Sequence, residues 1–106
     1  MNIREYQEWT NTTAQFSPLV AQEYLALGLV SEAGEVAGKI KKLIRGDDLP
    51  EDYYIKILDE VGDVLWYVAQ LAELYGTNIE SLAQLNHDKL TARLHNNTIK
   101  GSGDNR

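Results

Sequence analysis

Between Leu19 and Ile44 the apolar residues Leu25, Leu29, Val36, Ile40 and Leu43 recur at spacings of three, four and seven, as one face of an α-helix requires. Ile57, Val64, Val68 and Leu71 repeat the pattern farther along the chain. At about 100° per residue, each set falls in an arc about 60° wide, so each segment carries one apolar stripe to bury. Nothing in the chain alternates with the period of two that a half-buried strand would show.

The punctuation between these stripes divides the chain further. Asn2 with Glu5 three residues on has the spacing of a helix start. Ser17-Pro18 supplies a cap and a first-turn proline for a second helix, expected from about Leu19 to about Ile44. Lys41, Lys42 and Arg45 suit the negative end of that helix, and Gly46 ends it. After the loop GDDLP, a third helix is expected with Glu51 and Asp52 in its first turn, running to Tyr75 before Gly76. Thr77 and Glu80 have capping-box spacing for a fourth, reaching about His95. The tail NNTIKGSGDNR has too few apolar residues to pack. The expectation is an all-α, four-helix domain over residues 1–95 and a flexible C-terminal tail over 96–106.

The two central helices share a short echo, VSEAGEV at 30–36 and LDEVGDV at 58–64. Taking Glu32 as the origin of its helix puts its stripe between about 20° and 80° and Glu35 at about −60°. The same arithmetic from Glu60 gives the same arc for the other stripe and about −60° for Asp63. Helices packed through those stripes, about 8 to 10 Å apart, project Glu32, Glu35, Glu60 and Asp63 into one cleft. Like charges about 4 Å apart repel by about 4 kcal/mol at an effective dielectric near 20, so such a cluster takes up protons or binds cations. Gly34 and Gly62 stand between the paired acids, where helical glycine costs about 1 kcal/mol relative to alanine; a close approach of backbone, metal or ligand would account for them.

Composition narrows the chemistry. The 106 residues include no cysteine, which removes disulfides, thiolate nucleophiles and thiolate metal sites. With only His87 and His95 as imidazoles, carboxylates holding a hard cation are the favoured metal chemistry. Paired Glu-x-x-His ligands of a di-iron bundle are absent. The net charge of −6 argues against a stable nucleic acid complex, while leaving room for a phosphorylated metabolite carried by a divalent ion. No apolar run reaches the roughly 18 to 20 residues that span a bilayer, and no leader-like segment opens the chain, so the expected location is cytoplasmic.

The motif Glu32-x-x-Glu35 on one helix and Glu60-x-x-Asp63 on the next, within ALGLVSEAGEVAGKIKK and DEVGDVLWYVAQLAELYG, resembles the MazG-like all-α nucleoside triphosphate pyrophosphohydrolases over roughly residues 19–95. The resemblance implies a four-helix MazG-like bundle completed by oligomerisation, as a homodimer or a homotetramer. It implies Mg²⁺, with Mn²⁺ as a substitute, held by Glu32, Glu35, Glu60 and Asp63, and water attacking the α-phosphorus of a (deoxy)nucleoside triphosphate to release monophosphate and pyrophosphate. Ser31 stands where many members carry a further glutamate, which leaves water activation to one of the remaining acids or to the metal. Asn86, Lys89 and Arg93 match an Asn-x-x-Lys-x-x-x-Arg pattern of the family and are implied phosphate or sugar contacts.

The residues themselves add further candidates. Lys39, at about −20° on its helix, and Tyr67, at the same angle on the partner, lie on the side of the acids and are candidate substrate contacts. Lys42 reads equally as helix-end charge compensation. Trp9, Phe16 and Trp66 are candidates for either packing or a base pocket, and the two histidines read as surface residues. A non-catalytic helical module that binds metal or nucleotide is the alternative; pyrophosphate release on incubation with Mg²⁺ and triphosphates separates the two.

Overall fold

Asn2 sits in extended backbone and its side chain accepts the Glu5 N–H at 2.8 Å, which starts the first helix, α1 (Ile3–Thr10). A computed structural model describes all 106 residues. After α1, Ser17 caps a single 3₁₀ turn, Pro18–Val20, which leads into α2 (Ala21–Arg45). The turn takes up the residues at which the apolar pattern places the start of α2; α2 proper begins at Ala21 and ends one residue beyond Ile44. Gly46 closes it at φ 81°, its N–H donating to Leu43 while that of Asp47 donates to Lys42.

The third helix, α3 (Tyr53–Leu74), starts later than its acidic residues suggest: Glu51 and Asp52 precede it, and Asp52 is the cap residue without a capping side-chain bond. Gly76, at φ 69°, turns the chain out of α3. The fourth, α4 (Ile79–His95), is capped by Asn78 rather than Thr77; the Asn78 side chain accepts the Ser81 N–H at 2.8 Å. A residue distant in sequence completes that start, because Gln7 Oε1 accepts the Ile79 N–H at 2.9 Å. No strand is present, and no helix is long and apolar enough to cross a membrane. Residues 96–106 form turns in which the Arg106 side chain donates to the carbonyls of Thr98 and Gly103.

The most extensive packing joins α2 to α3, as their stripes require, with α1 laid over α3 and α4 touching α1 and α3 but not α2. Leu25, Ala69 and Ala72 are buried near the C-terminal half of α3, and Tyr53 is buried at its start, where its hydroxyl donates to the Lys39 carbonyl. Thr10, Gln70 and Gln7 are buried polar residues that fasten α1. Gln70 Nε2 donates to Thr10 Oγ1 and Asn11 Oδ1, and Gln7 Nε2 donates to Glu73 and to the Thr77 carbonyl, each at 2.8 to 3.0 Å. The chain is nevertheless open, with a radius of gyration of 16.9 Å against about 13 Å for a compact domain of this length.

Gln7 thus ties α1 to the end of α3 and the start of α4. Gln7→Ala leaves the Thr77 carbonyl and Ile79 N–H without their partner, and a loss of about 2 to 3 kcal/mol in urea unfolding is expected.

Candidate metal centre and adjoining cavity

The register of α2 on α3 brings Glu32, Glu60 and Asp63 together, with one carboxylate oxygen of each within 4.8 Å of the others. Glu32 and Glu60 are half-buried and Asp63 is exposed. Burial holds the Glu32 carboxyl above the ordinary carboxylate range, and Asp63, a hydrogen bond with Glu60, and the charges of Glu60 and Glu35 add to the shift. Asp63 is raised as well, by burial first and then by Glu60 and Asp59. Glu35 stays exposed and outside the convergent trio, so its charge reaches Glu32 without its oxygens joining the cluster.

One cation answers these anions from within the chain. Lys39 Nζ lies 3.3 Å from Glu60 Oε1, with only 21% and 18% of the two side chains exposed. No other lysine or arginine pairs with any of the three acids. Lys39 is therefore seated on a carboxylate here, while Lys42 belongs to the helix end, acting with Lys41 on Asp47. Three carboxylates against one ammonium, each offering hard oxygen donors, fit a divalent cation. Neither cysteine nor histidine shares the cluster, in keeping with that preference.

Beside the acids a cavity of about 410 Å³ opens to solvent. Glu32 and Asp63 form one side; Trp9, Thr13, Tyr24, Trp66 and Tyr67 form the rest. Trp66 meets Tyr67 edge-on at a centroid distance of 4.9 Å, and its indole N–H donates to Thr13 Oγ1 at 2.7 Å. Tyr6 stacks on Trp9, and its hydroxyl pKa is pushed up by burial and by Asp63, so α1 covers the Asp63 side of the cluster. Phe16 packs on Tyr24 at 4.8 Å, behind the wall rather than in it.

Gly28 is the glycine that the site needs. A Cβ there would stand 2.1 Å from the Tyr67 ring, so Tyr67 lies flat against the helix backbone. Gly34 and Gly62 were the expected points of close approach, yet nothing in the chain lies within 4 Å of a Cβ at either. Helical projection explains the difference: Gly28 falls about 40° from Glu32, whereas Gly34 falls about 160° from Glu32 and Gly62 about 160° from Glu60.

Asn86, Lys89 and Arg93 are not brought to the cluster. None lines the cavity, α4 does not touch α2, and Arg93 reaches the Asp104 carbonyl instead. His87 pairs with Asp88 on the surface of α4, and His95 is exposed. Thr13 and Tyr24 escaped the sequence reading. Tyr24 lies at about −80° on α2, the side of the acids, which is a usable signal; Thr13 sits after α1, where periodicity says nothing.

Because the folded-state pKa values of Glu32 and Asp63 are raised, the folded protein binds protons that the unfolded chain has already released. Metal-free stability contributed by these groups is therefore present below the ordinary carboxylate pKa and declines as pH rises through it to the raised values. Glu32→Gln removes part of that dependence. In chelator, its melting temperature should fall less than that of the wild type between about pH 4 and pH 7, read by circular dichroism.

Residues 21–98 match the family model of the MazG nucleotide pyrophosphohydrolase domain. The chain is also similar to the gene 37 protein of Mycobacterium phage L5, 44% identical over 85 residues that cover 78% of this chain and 75% of that one. A second relative, the uncharacterized protein YvdC of Bacillus subtilis (strain 168), is 28% identical over 98 residues, covering 86% and 88%. No solved structure matches the chain. With the matched segment spanning α2, α3 and α4 and including all three clustered acids, the chain belongs to the MazG nucleotide pyrophosphohydrolase family.

Proposed function

We propose that the protein is a divalent-cation-dependent pyrophosphohydrolase that converts a (deoxy)nucleoside triphosphate and water to the monophosphate and pyrophosphate. The observation that carries this reading is the juxtaposition of three crowded carboxylates with an open, aromatic-walled cavity. Glu32, Glu60 and Asp63 would hold Mg²⁺, or Mn²⁺ in its place. When bound, the ion neutralises phosphate charge and helps the α-phosphorus accept an attacking oxygen.

The chain's own residues do the rest. Trp9, Tyr24, Trp66 and Tyr67 offer flat faces for a nucleobase beside the acids. Glu35, outside the trio, is the carboxylate available to complete the ligand set or to take the proton of the attacking water. As the water oxygen bonds to the α-phosphorus, the bond to the bridging oxygen breaks and pyrophosphate leaves with the electron pair. Lys39 and, from α4, Asn86, Lys89 and Arg93 are the groups assigned to phosphate and sugar.

Self-association belongs to the same reading. The chain exposes 7837 Å², against about 5,900 Å² for a compact 11.9 kDa monomer. The excess, about 1,900 Å², exceeds the roughly 800 Å² that each partner gives to a standard interface. Val30 and Leu58 are 70% and 58% exposed, and they share a face with Gly34 and Gly62, whose missing side chains admit another backbone. A homodimer or homotetramer that covers this face would also let one copy's α4 serve another copy's cleft. With a net charge of −6, a stable nucleic acid complex is not part of the proposal, and the activity is assigned to the cytoplasm.

A panel of ribo- and deoxyribonucleoside triphosphates with Mg²⁺, analysed for products, tests the reaction. Monophosphate and pyrophosphate, lost on chelation, are expected; binding without turnover would identify a non-catalytic module instead. Glu60→Gln should keep its helical content and lose at least about 100-fold in turnover, and full activity in the folded variant would refute the site. Val30→Asp should shift the assembly towards monomer in light scattering.

A further inference from the structure

Lys39 is expected on substrate phosphates, yet it is found on Glu60, inside the group of acids that would receive a metal ion. We infer that Lys39 is an internal stand-in for that ion: its ammonium occupies Glu60 in the metal-free protein and yields the carboxylate when a divalent cation binds. The inference rests on the reading of Glu32, Glu60 and Asp63 as the metal ligands.

Three features of the geometry support exchange over a permanent bridge. First, Nζ at 3.3 Å from Glu60 Oε1 occupies space beside an oxygen that a Mg²⁺ ion would approach to about 2.1 Å. Two cations competing for one carboxylate in a half-buried cleft repel each other, so the weaker, singly charged one is displaced. Second, the ammonium pairs with Glu60 alone, which leaves Lys39 free to change rotamer without breaking a network. Third, the backbone at this point is fixed separately, because the Lys39 carbonyl accepts the Tyr53 hydroxyl at 3.2 Å from a buried tyrosine. The side chain can therefore leave while the helix stays.

The exchange has a consequence for ligand order. A displaced Lys39 keeps its place on the acid side of α2, about 20° from Glu32, and is released towards the position of a metal-bound polyphosphate only after the metal is in place. The same lysine thus relieves repulsion before loading and serves the substrate afterwards.

Calorimetric titration with MgCl₂ alone, without nucleotide, tests this in wild type, Lys39→Met, Lys39→Gln and Lys39→Arg, together with melting temperatures in chelator and in saturating Mg²⁺. If Lys39 competes with the ion, Lys39→Met and Lys39→Gln bind Mg²⁺ about tenfold more tightly than wild type. Both then melt lower than wild type in chelator, and Mg²⁺ closes the gap. Lys39→Arg, which keeps the charge, stays near wild-type affinity. Equal or weaker Mg²⁺ binding by both neutral variants, or an equal loss of stability with and without Mg²⁺, overturns the inference and identifies a structural bridge. Absence of Mg²⁺ binding to the wild type overturns the metal-site reading itself, so the two failures are distinguishable.

Discussion

Like charges held close together by helix packing are the constraint from which the rest of the structure follows. The α2–α3 interface fixes three carboxylates within 4.8 Å of one another, where each unpaired contact between full charges costs about 4 kcal/mol at an effective dielectric near 20. Burial and the neighbouring charges hold the Glu32 and Asp63 carboxyls above the ordinary carboxylate range, and the Lys39 ammonium relieves part of the cost. The packing that opposes the repulsion is modest, since Leu25 is the one large apolar side chain that is fully buried.

From this crowding the site acquires its asymmetry. The two acidic motifs are alike in sequence, but α1 covers only one of them. Tyr6 and Trp9 lie on the Asp63 side. Glu35, with no element laid over it, remains in solvent. The family match begins at residue 21, so the part of the cavity wall made by Trp9 and Thr13 comes from outside the matched segment. Part of the cavity wall is thus supplied by a stretch of the chain separate from the acids, joined to α3 through the Trp66–Thr13 and Gln70–Thr10 hydrogen bonds. A change near Thr13 alters the wall without touching the acids.

The periodic part of this arrangement was legible in the amino-acid sequence. Stripe geometry gave the all-α fold, the α2–α3 pairing and the convergence of Glu32 with Glu60 and Asp63, because those depend on spacing within single helices. What depended on a third element was not legible. An internal echo cannot say that α1 will lie beside Asp63 and not beside Glu35. Thr77 and Asn78 are both competent caps, and the extended backbone of Asn78 together with Gln7, far away in sequence, selects the second. Gly34 and Gly62 drew attention by standing between acids, although their projection angle already placed them on the opposite face. Gly28, one turn before Glu32, had the informative angle, and only the packed Tyr67 ring shows why a side chain is excluded there.

The face that carries Gly34 and Gly62 completes the physical argument. A chain with eight buried residues has little apolar burial to set against backbone entropy and against its own acidic cluster. Val30, Leu58 and Val61 are left in water. Glycine at the centre of such a face removes the bulk that would keep a neighbouring backbone away. Association through it would stiffen α2 and α3 from behind while the acids point the other way, so the burial that stabilises the assembly would also hold the carboxylates in register.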